Sequence, residues 1–269
     1  MFDSSARGPR TALIAVGVVL ALGVGFAVGR STTDDTAHAA ARESERPDTK
    51  SAAPASATST TLPPLNVDEL AENKPDQPLD APTRAKLAAD LEVARSVALQ
   101  YPTVASATAA HMLQAGNFAP QLGAHYISYA NVGREIRPDG SIDARYPGGF
   151  IYDGNSPSSR LVGLMYISLG STLPSGFPGP NDHWHRHHNL CIKYGPTGIT
   201  VPFAPDRDIT REECDGVHGS FMKQTVWMVH AWVVPGWESP KGVFSHEDPD
   251  LTCADGTVHT DAVGFCKGT

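Results

Sequence analysis

Several familiar signatures are missing from this sequence, and each absence removes a class of chemistry. No C-x-x-C pair occurs among the four cysteines, which argues against a thiolate zinc knuckle. There is no G-x-S-x-G elbow for a serine hydrolase and no glycine-rich loop to cradle phosphate. The glycines sit instead in turns and beside prolines. A zinc-peptidase helix, H-E-x-x-H, is begun by His246 and Glu247 and ended at once by Pro249 and Asp250. Positive charge is also scarce. Lys and Arg number 21 against 29 Asp and Glu, a net charge of −8 with no basic stripe to neutralise phosphates, so nucleic acid is not an expected partner. The acidity is mild and spread out; it favours solubility and says nothing of mechanism.

What the chain does contain is histidine, concentrated in Asn181-Asp-His-Trp-His-Arg-His-His-Asn-Leu-Cys191, where His183, His185, His187 and His188 fall within one short stretch. In an extended chain side chains alternate, so His183, His185 and His187 share a side and His188 faces away. Such an H-x-H-x-H row can offer two or three neutral imidazole nitrogens to one ion. The competing reading is a solvated polar loop. Trp184 within the row, and Leu190, Cys191 and Ile192 directly after it, favour a segment that leads into a core.

The domain layout follows from composition. Thr11 to Gly29 carries no charge, follows Arg7 and Arg10, and is closed by Arg30. At about 1.5 Å per residue it would span about 28 Å as a helix, close to the hydrocarbon thickness of a bilayer. Residues 1–30 therefore read as a membrane anchor with its N-terminus inside. A cleaved signal peptide is the alternative, with Ala37-His38-Ala39 as the small-residue site. Residues 31–80 are rich in Ala, Ser, Thr and Pro, contain no aromatic residue, and read as a disordered tether. Residues 81–269 are then a single extracytoplasmic domain. Cys191, Cys214, Cys253 and Cys266 all lie in it, as expected of disulfides formed in an oxidising compartment. Four cysteines allow three connectivities; Cys191–Cys214 with Cys253–Cys266 closes the shortest loops and is preferred.

Within that domain the expected fold class is α+β, N-terminal helices packed on a β-rich barrel or sandwich. Asp80 can cap a helix with Pro82 in its first turn and Leu87, Leu91, Ala94 and Ala98 along one face. Thr103 to Ala115 reads as a second helix, ended by Gly116. Strands are expected at His125–Tyr129, Phe150–Tyr152, Leu161–Leu169, Leu190–Tyr194, Ile199–Phe203 and Thr225–Val234. The last is apolar on both faces, the pattern of a covered central strand, and His230 sits in its middle. An imidazole buried there needs either a hydrogen-bond partner or a metal. His125 is the next candidate, whereas His111 beside Met112 and Leu113 reads as an ordinary core or surface residue.

Four pieces of the chain, Leu122-Gly-Ala-His-Tyr126, Leu161-Val-Gly-Leu-Met-Tyr166, Met228-Val-His-Ala-Trp232 and Pro240-Lys-Gly-Val-Phe244 running to Asp248-Pro-Asp-Leu251, together resemble an uncharacterised family of exported bacterial proteins. Its pattern is G-x-H-Y, L-V-G-x-E-Y, H-x-W and P-x-G-x-F with a final x-P-x-L, and the likeness covers residues 95 to 253. The resemblance implies an exported domain without an established activity and puts His125 and His230 on matching family positions. Where relatives have an acidic residue before the second tyrosine, this chain has Met165. A looser analogy is to cupins, small barrels that hold a metal with H-x-H and a later histidine.

The expected metal ligands are thus His183, His185 and His230, with His125 as a fourth. Imidazoles without a carboxylate favour zinc or copper over oxygen-preferring ions. Asp182 and Glu238 are candidate partners for the imidazole N–H groups. Three functions remain open: a membrane-tethered metal-binding domain, a cupin-like metalloenzyme, and a cell-envelope interaction module whose histidines are structural.

Overall fold

A computed structural model of the protein describes residues 75–204, 207–257 and 266, all within the compact unit Thr58–Thr269. The apolar run 11–29, the Ala37-His38-Ala39 site and the tether up to residue 74 lie outside the described residues. Among the described residues no helix is long and apolar enough to cross a membrane.

The first helix, α1 (Ala81–Ala98), starts as its sequence dictates. Asp80 accepts a hydrogen bond from the Thr83 backbone N–H at 2.8 Å, and Pro82 lies in the first turn, where a missing N–H costs nothing. Ala94 and Ala98 are buried and Leu87 and Leu91 pack beside them, so one stripe of the helix faces the core. The chain is already anchored before the cap. Gln77 exchanges two hydrogen bonds with Asn181, at 2.8 and 2.9 Å.

The second helix is shorter than its composition suggests. It runs only as α2 (Val104–Ala109), opened by a capping box between Thr103 and Ser106. The chain then reverses at His111 (φ 61°), and Leu113–Ala115 becomes a strand, β1. Pairing on both sides, with β2 (Ala124–Ile127) and β6 (Gly198–Thr200), outweighs the helical preference of this alanine-rich segment.

The remaining strands are β3 (Gly149–Tyr152), β4 (Leu161–Ser168), β5 (His188–Gly195), β7 (Ser220–Gln224) and β8 (Trp227–Ala231), with a short helix α3 (Arg211–Gly216) before β7. They form one mixed sheet in the order β7-β5-β6-β1-β2-β3-β4-β8, antiparallel except for β1 with β6. The domain is therefore β-rich with few helices. The expected strand Thr225–Val234 is shorter at both ends: β8 occupies Trp227–Ala231, and a separate strand, β7, ends just before it at Gln224. Nor is β8 central, since it ends the ladder. Its outer edge is covered by the segment leading into β5, where His185 and Met228 exchange backbone hydrogen bonds of 2.8 Å in each direction. The sheet thus curls into a half-barrel whose last strand meets the entry to β5.

Alternation along the strands assigns two faces. Tyr126, Phe150, Tyr152, Leu164, Tyr166, Val229 and Ala231 join the α1 and α2 side chains in the main core. The opposite face carries His125 across from Ile151, Ile151 across from Gly163, and Met165 across from His230. Cys191–Cys214 ties β5 to α3, and Cys253–Cys266 closes the second pair, the shortest-loop scheme.

A candidate metal centre of five histidines

Five imidazoles meet on the inner face of the half-barrel, each delivered by a different local cause. His125 follows Gly123, whose φ of 74° and close approach to the Tyr152 carbonyl, 3.0 Å from any added Cβ, exclude other residues. His230 lies on β8. His185 and His187 alternate along the segment that covers the β8 edge. His185 is fixed by its bridge to Met228, and His187 by a 2.9 Å bond from its N–H to the Thr225 hydroxyl. His246 comes from the loop after Gly242. That loop is stitched to the end of β8 by Trp232 N–H to the Val243 carbonyl (2.9 Å) and the Trp232 indole N–H to the Ser245 carbonyl (2.8 Å).

On a flat sheet His125 and His230, three strand spacings apart, would be separated by about 14 Å. Curling brings their Nε2 atoms to 3.2 Å. Two glycines make this possible. A Cβ on Gly163 would lie 2.8 Å from the Trp232 ring, and one on Gly149 would lie 2.6 Å from Cε of Met165. A bulge in β4 beside Tyr152, where the register with β3 shifts, adds local twist.

The second group is His185, His187 and His246, each offering one ring nitrogen, all within 4.8 Å of one another. The His185 and His246 rings are 4.4 Å apart, and His185 is 5.1 Å from His230, so the triad and the pair adjoin. Exposure is minimal: His185 0%, His230 1%, His246 5% and His187 9%. His125 is the half-buried member.

Hydrogen bonds fix two of the tautomers. His230 donates from Nδ1 to the His246 carbonyl at 2.7 Å, and His185 from Nδ1 to the His183 carbonyl at 3.2 Å. Both Nε2 lone pairs are therefore turned inward, and the His185 Nε2 has no hydrogen-bond partner. A carbonyl-held imidazole of this kind is the usual form of a metal ligand. Burial pushes His125 down to about 4 and holds His185, His187 and His230 well below the ordinary histidine value, with neighbouring imidazoles adding to the effect. All four are neutral near pH 7, the state that ligates.

The expected set is thus rearranged. His125, His185 and His230 come together. His183 does not join them: it precedes the bridge to β8 and its Nε2 faces Asp76 at 2.9 Å. His187 takes its place, and His246 was legible only as the stub of an H-E-x-x-H helix. Asp182 is occupied elsewhere, accepting from the Phe177 N–H (2.9 Å) and the Trp184 indole (2.8 Å), and exposed Glu238 accepts from the Gly236 N–H. His188 faces away, with Nε2 2.6 Å from the Gln224 amide. Met165, directly across from His230, is buried, so a thioether stands where the resemblance places an acid. No protein-family model, curated protein or solved structure matches this chain.

Proposed function

We propose that this chain is an exported, membrane-tethered protein whose β-rich domain holds a divalent transition metal, zinc or copper, through His185, His187 and His246. One observation carries the reading: three buried ring nitrogens lie within 4.8 Å of one another, in a place where the His185 Nε2 has no protein partner. An imidazole nitrogen desolvated without a partner costs about 1–3 kcal/mol, and a metal bond removes that cost. An all-nitrogen donor set selects zinc or copper over magnesium, calcium or manganese. The two disulfides accord with a domain that folds outside the cytoplasm, and the uncharged run Thr11 to Gly29 supplies the anchor. The resemblance to an exported bacterial family points the same way.

A second reading, a cupin-like metalloenzyme, is favoured by the ligand count. Three protein ligands leave a fourth position for water or substrate, the arrangement of catalytic zinc. His185-x-His187 followed by His246 also keeps the cupin order of H-x-H and a later histidine.

Metal analysis of the untagged protein tests the proposal. We expect stoichiometric zinc or copper in the wild-type chain, at least a tenfold loss of affinity in His187→Ala, and no change in His188→Ala. Metal-free wild-type protein that takes up neither ion would leave the histidines a structural role. After cobalt substitution, a spectral shift on adding azide would show the open position that the enzyme reading requires.

A further inference from the structure

Five convergent imidazoles are more than one tetrahedral ion uses, and the two left over are not placed at random. We propose that His125 and His230 hold a second metal ion beside the first, making the centre a two-ion site that takes small oxyanions. The inference rests on the triad reading above and extends it.

The geometry of the pair is that of two ligands on one ion. With metal–nitrogen bonds of about 2.0–2.1 Å, the edge of a tetrahedron is about 3.3 Å. The His125 and His230 Nε2 atoms are 3.2 Å apart. His230 spends its only neutral-state N–H on the His246 carbonyl, so its Nε2 presents a lone pair towards His125. A hydrogen bond from His125 would also fit that distance, and is the alternative to be tested. The shared carbonyl has a further consequence. His246 is a ligand of the first ion, and its backbone orients a ligand of the second, so the two positions are mechanically linked.

Charge decides what else must be present. Five neutral imidazoles do nothing to offset two divalent cations in a buried site. An anion shared between the ions supplies that compensation, and bound water yields one by releasing a proton to bulk solvent, its pKa lowered by the metal. The same position would accept a small oxyanion such as inorganic phosphate. Half-buried His125 marks the side from which it would enter.

The decisive measurement is metal stoichiometry in the untagged, zinc-saturated protein after gel filtration, with inorganic phosphate as the anion probe. Two ions per chain are expected in the wild type and one in His125→Ala, with phosphate binding at least tenfold weaker in that variant. One ion in both proteins would overturn the second site and leave the triad reading intact. None in the wild type would overturn both, and two retained in His125→Ala would show that the pair is not the second site. The wild-type count requires no variant to fold. His125→Asn, which keeps a polar side chain in the same space, stands in if His125→Ala does not fold.

Discussion

His125, His185, His187 and His230 are each driven towards neutrality by burial, and that has a signed consequence for the metal-free protein. Their ordinary value is 6.5, and His125 falls to about 4 in the folded state. A histidine depressed on folding binds fewer protons than in the unfolded chain, so the stability it leaves intact above pH 6.5 is lost as pH falls towards the folded value. Buried acids act in the opposite sense. Burial pushes Glu135 up to about 7 and Asp182 up to about 6, so both disfavour the folded state as pH rises. Four buried imidazoles are lowered against these two carboxyls raised, so the histidines set the sign. The metal-free protein should therefore lose stability steadily between pH 6.5 and 4, seen as a falling urea midpoint. Bound metal, which competes with those protons, should delay the loss to lower pH. A flat profile across that range would mean the rings are wetter than their burial implies.

Strand by strand, the inner face works because two positions carry no side chain. Gly163→Ala would drive a methyl group to within 2.8 Å of the Trp232 ring, with the Ile151 side chain 3.5 Å away. Overpacking of this kind costs about 1–3 kcal/mol, and here it should also spread His125 from His230. The expected result is a lower melting temperature together with weaker binding of the second ion proposed at His125 and His230, whereas Gly236→Ala, in open space, should leave metal binding unchanged. This dependence also shows how much of the molecule was readable beforehand. The cap at Asp80, the strand cores and the apolar character of β8 follow from local chemistry, and His125, His185 and His230 were legible because they sit at regular spacing or inside apolar runs. The conversion of Leu113–Ala115 from helix to strand was not, because it depends on β6, which is contributed some eighty positions later. His246 was hidden for a similar reason. It sits in a loop without periodicity, placed by long-range bonds such as those from Trp232 and His230. His183 was misleading because alternation starts at the His185 bridge and does not extend back past it.

For the molecule as a whole, the contacts of the domain reach back past Asp80. Gln77 is bonded to Asn181 and Asp76 to His183, so the chain just before the helix cap is docked on the loop that leads to His185. A protein begun at Pro75 should fold with full metal affinity. One begun at Asp80 should still fold but bind metal more weakly, because the segment carrying His185 and His187 loses its outer support. Equal affinities measured by calorimetry would separate that contact from the site.

The bridge between His185 and Met228 has a consequence beyond the architecture. His185, a ligand under the reading proposed above, is also the residue that covers the outer edge of β8, so loss of the ion would loosen the segment that protects that edge. A rim of unsatisfied N–H and C=O groups is a template on which another chain can lay a strand. Stripping the metal should thus change how molecules behave towards each other before it changes how each one is folded. Treatment with a chelator at neutral pH should produce concentration-dependent oligomers on a sizing column while circular dichroism still reports native strands, and returning zinc should dissolve them. If the chain is tethered at a membrane, as proposed above, crowding there would then report metal scarcity.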